Sequence, residues 1–220
     1  MRFFYHPEAG SSSLVVEGEY YNYLFKVRRH KEGEEIAARN LEDGFLYIYR
    51  IESVRRREAT LTLVHKESKE VLPKRFFHLL WCVVDPKTIE KTLPTLNELG
   101  VGKITFIYCD RSQKNFKLRL EKLQKILINS CQQCGRSRLM ELEVAKDLQS
   151  VIDADTVVID FSDKTLGCAD NIEKALVGPE GGFSQEERKL FEGLKILGFD
   201  TELILRSESA AVAVASKVLV

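Results

Sequence analysis

Hydrophobic and polar positions change rhythm once along this chain. Up to about Leu72 they alternate in short β-prone runs, Arg2–Tyr5, Ser13–Val16, Glu35–Ala38, Phe45–Ile51 and Ala59–Val64, separated by turn signals such as Glu42-Asp43-Gly44. Period-two runs between turns are strands with one buried face. One amphipathic stretch, Gly18 to His30, interrupts them with helical spacing. Short, closely spaced strands around a single helix predict a small β-barrel over residues 1–72. From Pro73 onward apolar runs alternate with helical patterns. Strands are predicted at Phe76–Val84, Ile104–Cys109, Thr156–Asp160, Ala175–Val177 and Leu203–Leu205, and helices at Pro86–Leu99, Lys117–Cys134, Gln185–Leu197 and Glu208–Leu219. This alternation predicts an α/β domain over residues 73–220, with a parallel sheet covered by helices on both faces.

Two helix starts are signalled by capping chemistry. Asp85-Pro86 offers an N-cap with proline at the first helical position, and Ser184-Gln-Glu-Glu187 is a capping box. The second start isolates a short loop, Gly178-Pro-Glu-Gly-Gly-Phe183, between a strand and a helix. Such a turn at the C-terminal end of a parallel strand is where α/β sheets bind ligands, and glycines let the backbone approach a flat ligand. Neither the dinucleotide fingerprint nor the P-loop spacing occurs, so neither dinucleotide nor triphosphate binding is supported. Leu203 to Ala215 repeats the layout: Arg206 at a strand end, Ser207 able to cap, Glu208 opening a helix of small residues.

The chain has 220 residues with 33 basic and 33 acidic side chains, but the neutrality is an average. Between Arg111 and Arg138 eight basic residues, Lys114 among them, face one acid, whereas Leu139 to Glu208 carries sixteen acids and seven bases. Further arginines cluster at Arg28-Arg29 and Arg55-Arg56-Arg57. Local positive excess suits phosphate backbones, and the planar guanidinium suits base edges. No apolar run is long enough to span a membrane and the N-terminus lacks a signal-peptide layout, so a cytoplasmic protein is expected. Five cysteines, Cys82, Cys109, Cys131, Cys134 and Cys168, are expected as free thiols; Cys131-Gln-Gln-Cys134 has no second ligand pair, so no metal is expected.

Gly178 to Ser184, followed by Ile204-Leu-Arg-Ser-Glu-Ser-Ala210, resembles the paired C-terminal motifs of the RsmE-type ribosomal RNA uridine N3-methyltransferases, of the SPOUT class. Asn97-Glu-Leu-Gly-Val101, Gln133-Cys-Gly-Arg-Ser137 and the Phe25 to Ile36 stretch resemble further segments of that family, in its order, so the resemblance covers nearly the whole chain. One departure is Asp200-Thr-Glu-Leu203, where family members carry leucine-glycine directly before the Ile-Leu-Arg strand.

The resemblance implies an N-terminal PUA-like barrel and a C-terminal SPOUT domain with a trefoil knot. It implies S-adenosylmethionine as cofactor, 16S rRNA of the small ribosomal subunit as substrate, and a homodimer. Gly178, Pro179, Gly181 and Gly182 would form one cofactor loop and Ile204, Leu205, Ser209 and Ala210 another. For removal of the uracil N3 proton the candidates are Glu180 or Glu208, with Arg136 or Arg206 stabilising charge on the uracil oxygens. Arg28, Arg29, Lys87, Lys91, Arg111 and Arg138 are candidates for RNA contacts. The alternative is a non-catalytic RNA-binding ribosome assembly factor.

Overall fold

The structure is a computed structural model that describes residues 2–113, 117–167 and 171–220; Lys114 and Cys168 lie outside the described residues. The chain forms two compact units, Met1–Leu72 with Cys131–Leu139, and Pro73–Ser130 with Met140–Val220.

The first unit is built on strands β1 (Phe4–Tyr5), β2 (Ser13–Glu17), β3 (Glu35–Arg39), β4 (Phe45–Val54) and β5 (Glu58–Ser68), ordered β1-β3-β4-β5-β2. The sheet is an open half-barrel, with β1 and β2 as its edges. Alternation sets the buried face. In β2, Leu14 and Val16 point inward while Ser13, Val15 and Glu17 face water. Leu14, Val16, Tyr49, Ile51 and Leu61 meet in the core. The helix is shorter than its pattern suggests: α1 spans Gly18–Tyr21 and passes into a π-helical turn, Asn22–Val27, closed by Arg28 N–H to the Tyr23 carbonyl at 2.9 Å. Leu24 and Phe25 of this turn both reach the core. Cys131–Leu139 joins this unit through main-chain bonds, Arg2 N–H to Gln132 and Ser137 N–H to Val71.

In the second unit six parallel strands form one sheet: β6 (His78–Cys82), β7 (Lys103–Ile107), β8 (Glu141–Ala145), β9 (Val157–Ile159), β10 (Lys174–Val177) and β11 (Lys195–Leu197), ordered β11-β9-β10-β6-β7-β8. The central strands are buried on both faces; Leu79, Leu80 and Trp81 are fully covered. Helices α2 (Pro86–Leu99), α3 (Leu120–Cys134), α4 (Gln185–Lys189) and α5 (Ser207–Leu219) connect and cover the sheet. Both caps form as the sequence indicates, with the Asp85 carboxylate accepting from Thr88 N–H and the complete Ser184–Glu187 box.

Three expectations fail here. The predicted helix Gln185–Leu197 stops at Lys189, because Gly193 takes φ +85° and Lys195–Leu197 pairs with β9 instead. Leu203–Leu205 is not a strand: β11 already occupies the sheet edge, and Leu203 and Ile204 are exposed. Cys82 and Cys109 are not free thiols. Register places Cys82 opposite Ile107, two residues before Cys109, and the pair is disulfide-bonded with a Cα–Cα separation of 5.9 Å. Cys131 and Cys134 are not disulfide-bonded.

At the N-terminal ends of the strands, register aligns His78 with Lys103 on β7 and Lys174 on β10. Burial, then the two ammonium groups, push the His78 pKa down to about 4. An unfolded histidine titrates near 6.5, so between roughly pH 6.5 and 4 the unfolded chain binds a proton that the native state refuses. Stability contributed by neutral His78 is therefore complete above pH 6.5 and lost as pH falls toward 4. Urea midpoints should drop over this window, and His78→Gln should flatten that part of the slope; an unchanged slope would refute the assignment.

Candidate functional site

The loop after β10 is shaped by its glycines. Gly182 closes a turn by donating to the Pro179 carbonyl at 2.9 Å, with φ +68°. A β-carbon on Gly178 would lie 3.0 Å from the Phe183 ring, which turns beneath the loop and packs edge-on against Phe191 at 4.8 Å. Phe183 is thereby buried in the core.

Beyond the loop, the start of α4 is a polar hub. Glu187 is buried, and its carboxylate accepts from the backbone N–H groups of Asp110 and Ser184, both at 2.8 Å. The Ser184 hydroxyl accepts from Glu187 N–H and donates to the Asp110 carboxylate at 2.6 Å. Arg188 pairs with Asp160, the residue that follows β9. The same helix start therefore fixes the ends of three strands, β7, β9 and β10.

The second wall comes from the start of α5. Ser207, the first residue of that helix, accepts from the Trp81 indole N–H at 2.9 Å and donates its hydroxyl proton to the Gly178 carbonyl at 2.5 Å. One side chain thus ties the two glycine- and alanine-rich bends together. Between them lies a cleft of about 540 Å³ at the C-terminal ends of the strands. Asp160 to Ser162 and Gly198 complete it on the side of β9 and β11. Gly198 sits where these segments cross, donating to the Lys164 carbonyl and accepting from Leu166 N–H, both at 2.8 Å.

Of the residues singled out from sequence, Gly178, Pro179, Glu180, Gly181, Gly182, Ile204, Leu205 and Ala210 all line this cleft. Ser209, Arg206 and Glu208 do not. Ser207 and Ala210 are one turn apart on α5 and face the cleft, so helical spacing carries Glu208 and Ser209 elsewhere. Arg206 and Ser209 are exposed, and the Glu208 Oε2 atom is buried without a hydrogen-bond partner among the described residues. Arg136 is in the first unit, buried, its Nε donating to the Arg138 carbonyl at 3.0 Å and its pKa lowered by desolvation.

The candidate RNA contacts divide similarly. Arg28 lies over the Tyr23 ring at 5.4 Å, and Arg29 is exposed with φ +59°. Lys87 and Lys91 are exposed one turn apart on α2. Arg138 pairs with Glu70 at 3.2 Å. Arg111, by contrast, is a cleft residue: its Nη1 donates to the Gly181 carbonyl at 2.7 Å.

Sequence reasoning missed Arg111 in this role, and also Ser207, Phe161 and Gly198. Ser207 looked like a cap, yet it makes no capping bond and serves as the bridge. For Gly198 the signal was present, since Leu197-Gly198 is a leucine-glycine pair displaced from Ile204 by five residues.

The chain matches two family descriptions, an RNA methyltransferase domain over residues 72–219 and an RNA methyltransferase PUA domain over residues 16–64. It is 45% identical to a ribosomal RNA small subunit methyltransferase E from Helicobacter pylori, over 98% of each chain. Its fold is similar to a Legionella pneumophila methyltransferase solved with the bound cofactor SAM, with a TM-score of 0.83 and 23% identity over 99% of this chain and 96% of that one. A ribosomal RNA small subunit methyltransferase E from Neisseria gonorrhoeae bound to S-adenosyl methionine gives a TM-score of 0.80 at 23% identity, over 98% of this chain and 95% of that one.

Proposed function

Because this chain belongs to the ribosomal RNA small subunit methyltransferase E family, we propose that it transfers a methyl group from S-adenosylmethionine to N3 of a uridine in 16S rRNA. The observation that carries this reading is the Ser207 bridge, which draws the loop after β10 and the start of α5 into one cleft with Glu180 on its wall. Residues 1–72 would act as the PUA-like RNA-binding domain and residues 73–220 as the catalytic one. The substrate makes the protein cytoplasmic in this reading.

The cleft suits the cofactor. Its volume of about 540 Å³ is within the usual range for small-molecule sites, roughly 300–1,000 Å³. Nothing lies within 4 Å of where a β-carbon on Gly182 would sit, so a flat ligand can rest on main chain there. Gly178 to Gly182, Leu205 and Ala210 would hold it. When bound, the cofactor supplies an electrophilic methyl group on a sulfonium. The chain's own part is to place the base, exclude water and remove a proton. Two carboxylates line the cleft; Asp160 is paired with Arg188, and Glu180, which has no ion-pair partner among the described residues, takes the N3 proton. Uracil N3 is hidden by base pairing, so the target must be unstacked and unpaired to reach Glu180.

Phosphate contacts are assigned to Arg28, Arg29, Lys87, Lys91 and Arg138. The chain path supports a trefoil knot: after β10 it runs past β9 to form β11, crosses residues 160–166 at Gly198, and returns through α5 to pack on α2, β10 and β6. Exposed Leu203, Ile204 and Val220 offer apolar surface for a second copy in a homodimer. Among the described residues no group of three or more histidine, cysteine or carboxylate side chains could hold a metal ion.

The test is incubation with radiolabelled S-adenosylmethionine and small-subunit particles that lack the modification, followed by nucleoside analysis. Label in N3-methyluridine is expected. Label in another nucleoside would overturn the position of transfer. No label, with no heat of cofactor binding by calorimetry, would leave an RNA-binding assembly factor.

A further inference from the structure

The mechanism leaves one charge without a partner. When the N3 proton departs, negative charge grows on the uracil carbonyl oxygens, and neither arginine proposed from sequence lines the cleft. Arg111 does. Its guanidinium donates to the Gly181 carbonyl through Nη1 at 2.7 Å. Its Cβ lies 3.3 Å from where a β-carbon of Gly181 would sit, so the arginine stem lies close against the loop and a side chain there would press on it.

The base of the side chain is fixed too. Asp110 is held at both its backbone N–H, by buried Glu187, and its carboxylate, by Ser184. Cys109 N–H donates to the Ser112 hydroxyl, closing the turn on the other side. Arg111 is therefore a surface arginine with a tethered stem.

Its charge is not neutralised. Among the described residues Arg111 forms no ion pair; the neighbouring Asp110 carboxylate accepts a hydrogen bond from Ser184. Glu180, one residue before the carbonyl that Arg111 grips, likewise has no ion-pair partner among them. The cleft wall thus presents a cation and a carboxylate that do not pair with each other. An imide offers the matching set: an acidic N–H flanked on each side by a carbonyl oxygen.

We propose that Arg111 is a catalytic residue that donates a hydrogen bond to the uracil carbonyl next to N3 as Glu180 removes the proton. In the balanced step the N3 proton goes to the Glu180 carboxylate and the N3 lone pair forms the new N–C bond. The S–C bond breaks with its electron pair on sulfur, leaving a neutral thioether. Arg111 carries the charge that passes through the uracil oxygen. This assignment rests on the methyl-transfer reading above and adds to it the group that makes the imide acidic enough to react.

The experiment compares wild type, Arg111→Gln and Arg111→Lys on unmodified small-subunit particles, with kcat, KM and the pH profile of kcat, and with cofactor Kd by calorimetry. Removing one donor aimed at developing negative charge costs about 10²–10³ in kcat. Arg111→Gln should show a loss of that size, with its pH profile displaced upward by about one unit because the bound imide is harder to ionise. Arg111→Lys, which keeps the charge, should recover about tenfold of it. A raised KM with a flattened salt dependence and unchanged kcat would make Arg111 a phosphate contact and overturn the proposal. A loss matched by weaker cofactor binding, with the pH profile unmoved, would make it a prop for Gly181 and overturn it as well. If wild type itself transfers no methyl group, the functional reading fails first and is distinguished from either result.

Discussion

Glu180→Gln should lower the rate of methyl transfer about 10²–10³-fold while changing cofactor affinity less than about threefold. Glutamine keeps the size and hydrogen-bonding reach of the side chain but cannot accept a proton. Glu180 lines the cleft and is exposed, so its replacement breaks no buried network of the kind Glu187 anchors. The loss should therefore appear in kcat with little change in thermal stability. Glu208→Gln is the paired control. Glu208 lies outside the cleft lining, and its carboxylate is already unsatisfied at Oε2, so the substitution should leave turnover within a few-fold of wild type. Single-turnover assays on the same particles check both. A wild-type rate for Glu180→Gln would remove Glu180 from the mechanism.

The second large effect is structural. A β-carbon on Gly198 would sit 2.8 Å from the Ser162 carbonyl oxygen, 3.2 Å from Ser162 N and 3.3 Å from the Asp160 carbonyl oxygen. All three are main-chain atoms, so no rotamer change relieves the clash. Overpacking of this kind costs about 1–3 kcal/mol, which for a chain of this size lowers Tm by roughly 3–10 °C. Gly198→Ala should show that drop in a thermal melt. It should also weaken cofactor binding at least tenfold, because the displaced residues 160–162 form one wall of the cleft. Retention of both Tm and affinity would show that the crossing is looser than its hydrogen bonds indicate.

The parallel sheet was legible because its central strands are covered on both faces and read as unbroken apolar runs, as in Leu79 to Val84. Strand β8 was not, since as an edge strand its Glu141-Leu-Glu-Val-Ala145 lacks an apolar run and offers only a short alternation of acidic and apolar residues. Gln185 to Leu197 carries a helical period throughout, but pairing with β9 claims its last three residues, a tertiary choice that no local pattern encodes. The apolar Leu203-Ile-Leu205 run suggested burial, yet it is the rim of the cleft.

For the site, motifs located the two bends, and spacing alone could not say which side chains face inward. Ser207 and Ala210 point to the cleft and Glu208 and Ser209 away from it, a matter of helical phase once the first residue of α5 is known. Arg111 stands 70 residues from the carbonyl it grips. Cys82 and Cys109 stand 27 apart and meet only through strand register. Neither pairing leaves a trace in the linear pattern.

Trp81 is the sole tryptophan of the chain, fully buried, and its indole N–H is committed to the hydroxyl that joins the two bends of the cleft. Any shift of those bends on ligand arrival must alter the field around that ring. The protein thus carries a native optical probe at its centre: ultraviolet emission should report cofactor occupancy in real time, without an attached dye and before any RNA is added.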